Sequence, residues 1–91
     1  MVFVINEKKY DTNNMELVTN KFRYEYKVSH SIFGGLTHVT YDTGLYKSEK
    51  GNWLVVFDGY GRAVTEKKAQ DMLLKHDYKA YEKQFGELEE A

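Results

Sequence analysis

The chain has no cysteine and no proline in 91 residues. Without thiols there is no disulfide staple and no thiolate site for zinc or redox chemistry. That usage fits a reducing compartment, and a cytoplasmic location is the expectation. Without proline, glycine does the turning. No apolar run approaches the ~20 residues of a membrane-spanning helix, so no membrane partner is expected. The opening Met1 to Lys9 lacks the basic start and long apolar stretch of a secretory signal, and none is expected.

An excess of one charge is also missing. The net charge is −1, with eight Lys/Arg against seven Asp/Glu over 1–63 and five against seven over 64–91. Neither part has the basic footprint of a nucleic-acid binder, nor the acidic surface of a phosphate-backbone mimic.

Aromatic residues, by contrast, are plentiful. Eight Tyr, five Phe and one Trp make up 15% of the chain. That content argues for a packed core rather than disorder. The length suits one domain over 1–91, β-rich over 1–63 and helical over 64–86, with an acidic tail at 87–91.

The pattern is centred on Val39 to Phe57. Two β-type runs flank the polar turn Ser48-Glu49-Lys50-Gly51, with Gly51 suited to a left-handed position. Trp53 to Phe57 is apolar on both parities, which places it inside a sheet. Phe22, Tyr24, Tyr26 and Val28 alternate with Arg23, Glu25, Lys27 and Ser29 as a half-buried strand does. To share a face with Val39 and Tyr41, paired positions there must sum to an odd number, 28 with 39 for example. In the next hairpin, Leu45 shares a face with Trp53, Val55 and Phe57 when the sum is even.

Val2 to Ile5 is a further short strand, Asn6 to Lys9 is turn-like, and the stretch from Tyr10 to Asn14 is either a single helical turn capped by Asp11 or Thr12 or a plain loop. Asp58 to Arg62 ends the apolar strand and leads into a helix. Thr65 is the N-cap of that helix and Asp77 the N-cap of the next. Tyr78, Tyr81, Phe85 and Leu88 form one stripe, and Gly86 ends the helix. The fold class is α+β: a small antiparallel sheet of about four strands covered on one face by two C-terminal helices.

Several pieces carry a resemblance. They are Ile5-Asn6 with Tyr10-Asp11-Thr12, then Leu45-Tyr46-Lys47 with Lys50-Gly51-Asn52-Trp53-Leu54, then Tyr81-Glu82 with Phe85-Gly86-Glu87. With these the chain resembles small uncharacterised proteins carried by phages and mobile elements of Gram-positive bacteria. The resemblance implies an accessory-gene setting and no activity. Phe22 to Thr40 matches no part of that pattern.

No catalytic signature stands out. Ser29, Ser31 and Ser48 lie in no nucleophile elbow, and no enzyme activity is expected. His30 and His38 flank the Gly34-Gly35 turn, but odd parity sets them on opposite faces, so no shared metal is expected. His76 suits a helix C-terminus. No cofactor is expected.

Two stretches remain as candidate sites. Ile32, Phe33 and Leu36 put three large apolar residues around a glycine turn. They either fold under the helices or form a partner-binding patch anchored on Phe33. Gly59, Gly61 and Arg62, before a helix, are the weaker candidate, as an anion cradle. The expected function is a non-enzymatic protein-interaction module, an accessory protein that binds a host or element protein and inhibits a defence system. The alternatives are a nucleotide or nucleic-acid binder, and a self-associating structural protein that forms a homodimer through a sheet edge.

Overall fold

A computed structural model describes the backbone of residues 1–30, 35–57 and 59–91, and the side chains of 1–21, 43–57 and 59–91. The first two strands, β1 (Val2–Ile5) and β2 (Lys8–Asp11), form a hairpin of their own. Asn6 and Glu7 connect them with φ of 51° and 64°. Two positive φ values in a two-residue loop follow the right-handed twist of the strands. A single 3₁₀ turn, Thr12–Asn14, comes next, and Asp11 caps it by accepting from the Asn13 amide.

The main sheet has the order β3 (Glu16–His30), β4 (Gly35–Lys47), β5 (Trp53–Phe57), β6 (Tyr60–Val64), all antiparallel. Two helices follow, α1 (Glu66–His76) and α2 (Tyr78–Phe85). The α+β architecture with a four-stranded sheet and two C-terminal helices is therefore present. Its membership differs from the expected one. β1 belongs to the separate hairpin, and the fourth place goes to β6. The sequence pattern makes Asp58 to Arg62 the exit from β5 into a helix. Instead Phe57 pairs with Tyr60 across a two-residue connection, and the chain returns along β5.

Both parity arguments hold. In the β3–β4 pair Tyr24 faces Tyr41 and Tyr26 faces Val39, an odd sum. The illustrative 28-with-39 pairing is displaced by two residues, since Val28 pairs with Thr37. Parity settles the face but not a slip of two, which connection length decides. In the β4–β5 pair Leu45 faces Val55 and Lys47 faces Trp53, an even sum. Gly51 takes φ 83° in the turn, where its amide donates to the Ser48 carbonyl.

The helices cover the face that carries Leu45, Trp53 and Val55. These three are buried with Ala69 and Leu73 of α1, and Val18, Val64, Met72, Tyr81 and Phe85 pack around them. Phe85 stacks on Trp53 at 5.8 Å between centroids and contacts Tyr81 at 5.1 Å. The expected four-residue stripe is thus split. Tyr81 and Phe85 join the core, while Tyr78 and Leu88 stay exposed. The opposite face has fully buried Leu54, and the ring of Phe3 from β1 lies against Gly61 there. No described helix is long and apolar enough to cross a membrane.

The caps fall where side-chain chemistry puts them. Thr65 accepts from the Lys68 amide at the start of α1. Asp77 accepts from the Ala80 amide at the start of α2, and Gly86 closes α2 with φ 106°. His76 ends α1.

Candidate interaction surface

β4 is long because it serves two partners in succession. Its last five residues, Thr43–Lys47, pair with β5, whereas its earlier part pairs with β3 alone. From Arg23 opposite Asp42 to His30 opposite Gly35, eight successive pairs form a two-stranded ribbon beyond the reach of β5. Eight residues of strand span about 27 Å. The Cα radius of gyration is 14.9 Å, against roughly 12 Å for a compact chain of this length.

The pleat gives this ribbon two different parities. Phe22, Tyr24, Tyr26 and Val28 align with Thr43, Tyr41, Val39 and Thr37. Arg23, Glu25, Lys27 and Ser29 align with Asp42, Thr40, His38 and Leu36. An apolar pattern thus alternates with a charged one along the same two strands. His38 pairs with Lys27 and His30 with Gly35, so the two histidines are not cross-strand partners.

Of the predicted partner-binding residues, Leu36 stands near the start of β4 opposite Ser29. Ile32 and Phe33 lie outside the described residues.

At the root of the ribbon, β3 changes register between Leu17 and Thr19 and again between Thr19 and Phe22. Extra residues of this kind bend a strand and raise its twist. Thr19, buried at the bend, donates its hydroxyl to Asp77 Oδ2 at 2.7 Å, and the Lys21 amide donates back to Thr19 Oγ1 at 3.2 Å. Asp77 thereby ties the bend to the α1–α2 junction. The Thr19 hydroxyl holds its carboxyl below the usual carboxylate range. The Ala80 amide and the charges of Lys21 and Lys79 act the same way, while partial burial opposes them. This link was not foreseen, because its two ends lie 58 positions apart.

The second candidate stretch takes a different form from the one expected. Gly59, with φ 77°, sits in the β5–β6 connection, and Gly61 and Arg62 lie on β6 rather than before a helix. Gly61 has a packing reason. A Cβ there would lie 2.6 Å from Phe3 Cγ. A separate open depression of about 900 Å³ runs beside the β1–β2 hairpin. Its charged lining is Glu7, Asp11 and Glu49 against Lys8, Lys9 and Lys50, a balance that favours neither anions nor cations. Among the described residues no group of three or more His, Asp or Glu is placed to hold a metal ion.

No protein-family model, no curated protein and no solved structure matches this chain.

Proposed function

We propose that the chain is a non-enzymatic protein-interaction module whose docking element is the β3–β4 ribbon. The observation that carries this reading is the run of eight pairs from Arg23–Asp42 to His30–Gly35 that the rest of the sheet does not use. An isolated two-stranded ribbon is marginal in water, and a third strand or a packed face stabilises it. A ribbon with one apolar parity is therefore suited to a partner that completes it. Extended edges and β-ribbons recognise partners through main-chain pairing, with alternate side chains setting specificity. The resemblance to accessory proteins of phages and mobile elements makes a host or element protein the partner class, with inhibition of a defence system as the biological role.

The test is capture from host lysate by the tagged protein beside Leu36→Asp and Phe33→Asp controls. The single tryptophan, buried in the core, confirms that each control is folded. One protein retained in stoichiometric amount by the native chain and lost by both controls supports the reading. Retention unchanged in both removes the far end of the ribbon as the docking element.

A further inference from the structure

We infer that the outer edge of β3 in this ribbon pairs antiparallel with a second copy of this chain, with the two-fold axis at Tyr26. The inference rests on the reading of the ribbon as a docking element and concerns that edge alone, so the docked unit would be a dimer.

β3 has β4 as its one neighbour among the described residues, so its outer edge has no strand from Glu16 to His30. The two halves of that edge differ. From Glu16 to Lys21 the register shifts twice, and an irregular edge is a poor template for another strand. From Phe22 to His30 the pairing with β4 advances one residue for one. This regular edge is nine residues long, and its middle residue is Tyr26.

Charge then selects a register. With the axis at Tyr26, position i opposes 52 − i of the second copy, and all nine residues pair. Glu25 opposes Lys27 of the second copy, twice by symmetry, and Arg23 opposes Ser29. No like charges meet. On the other parity Tyr24 opposes Val28 and Tyr26 opposes itself, aromatic and β-branched combinations that stabilise antiparallel pairs. An axis at Glu25 would set Glu25 on itself, and an axis at Lys27 would do the same with lysine. An axis at Tyr24 would oppose Arg23 to Glu25, but it would also set Lys21 against Lys27, and it runs into the register shift between Thr19 and Phe22. The Arg-Glu-Lys alternation is therefore self-complementary about Tyr26. The contact is isologous, as closed two-fold dimers require. It converts each two-stranded ribbon into four strands in the order β4-β3-β3-β4, enough for a sheet with an apolar face to hold itself.

The absence of cysteine makes the geometry directly testable, because any introduced thiol is unique. Paired Cα atoms in an antiparallel ladder stand about 4.5–5.5 Å apart, inside the span a disulfide bridges. Tyr26→Cys should cross-link to itself under mild oxidation. Ser29→Cys should not, since the register separates the two copies of that position by about 20 Å. The second arm is sedimentation over a micromolar to millimolar series. The native chain should dimerise, and Glu25→Lys should weaken dimerisation about tenfold or more by creating two like-charge pairs. The swap Glu25→Lys with Lys27→Glu should restore it. A chain that sediments as a monomer throughout overturns the inference. If Leu36→Asp and Phe33→Asp still abolish capture of a different protein in that case, the docking role of the ribbon stands without it. A dimer indifferent to Glu25→Lys, with no cross-link at position 26, overturns it as well.

Discussion

Substituting Gly61 by alanine isolates one steric contact. Gly61 has an ordinary negative φ, so alanine meets no backbone penalty there. The new methyl would lie 2.6, 2.7 and 2.9 Å from three carbons of the Phe3 ring. Ordinary carbon contacts need about 3.5–4.0 Å, so ring and strand must separate by about 1 Å. The closest atom is Cγ, the ring atom nearest the backbone, and β1 is paired throughout to β2, so relief needs a new χ1 rotamer for Phe3 or a shift of the whole hairpin. Overpacking of this kind costs about 1–3 kcal/mol. Replacing glycine in a strand returns about 0.5–1 kcal/mol through the unfolded chain. The net expectation is a loss of about 1–2 kcal/mol, or a fall in Tm of roughly 5–15 °C for a domain of this size.

Urea unfolding followed by Trp53 fluorescence measures this loss, since the ring is 2% exposed in the fold. The decisive comparison is a double-mutant cycle with Phe3→Ala. Once the ring is gone, Gly61→Ala has nothing to strike, and the double variant should be no less stable than Phe3→Ala alone. If Gly61→Ala is neutral, or if the two losses add, the hairpin is not seated on β6 through this contact and the reasoning fails.

Three further outcomes follow from the core, the bend and the first hairpin. Leu73→Ala removes a fully buried side chain from the cluster with Trp53 and Val55, and should cost about 2–5 kcal/mol in the same urea assay. Asp77 is held below its usual value chiefly by the Thr19 hydroxyl. Its contribution is therefore full above the unfolded carboxylate pKa, near 4, and is lost as pH falls through the lower folded value. Asp77→Asn should destabilise at neutral pH and flatten the acid limb of the stability profile. An unchanged limb would detach Asp77 from that role. Glu7, at φ 64° without a glycine's freedom, should gain up to about 1 kcal/mol as Glu7→Gly, measured by thermal unfolding.

The legible parts of this fold are those in which a local rule and a burial rule agree. Thr65, Asp77 and Gly86 are caps whose chemistry acts within a few residues, and they stand at the helix ends. The parity of both long hairpins follows from setting the apolar residues of paired strands on one face. β6 was missed although Asp58-Gly59 is a strong two-residue hairpin signal. The stretch after it, Tyr-Gly-Arg-Ala, has little β-type character, and pairing with the apolar β5 overrides that weakness. β2 was missed for a similar reason. Lys8-Lys9-Tyr10-Asp11 reads as polar, yet Asn6-Glu7 closes a tight hairpin and only Tyr10 is buried. The bend at Thr19 had no signal at all, because its partner is remote in sequence. In β3, the alternation over Phe22 to Val28 is plain in the sequence. That it extends past the sheet is not, since this depends on how early β5 stops.

The composition of the ribbon bears on why it can stand at the end of a small domain. β5 and β6 are five residues each, so the sheet needs only Thr43–Lys47 of β4. The remaining length is not required to build the described core. A surplus strand pair of leucine or isoleucine would be an aggregation site. A wholly polar pair would give a partner little to bind. The apolar parity instead carries Tyr24, Tyr26 and Tyr41 beside Phe22, Val28 and Val39. Tyrosine combines a large ring with a polar hydroxyl, a composition suited to the proposed docking surface. In the proposed pairing, Arg23, Glu25 and Lys27 on the other parity disfavour axes at Glu25 and Lys27 by like-charge contact, and the Tyr26 axis pairs opposite signs with no like charges opposed. On the proposed docking, the two parities divide the work, with the aromatic one contributing contact area and the charged one discriminating between registers.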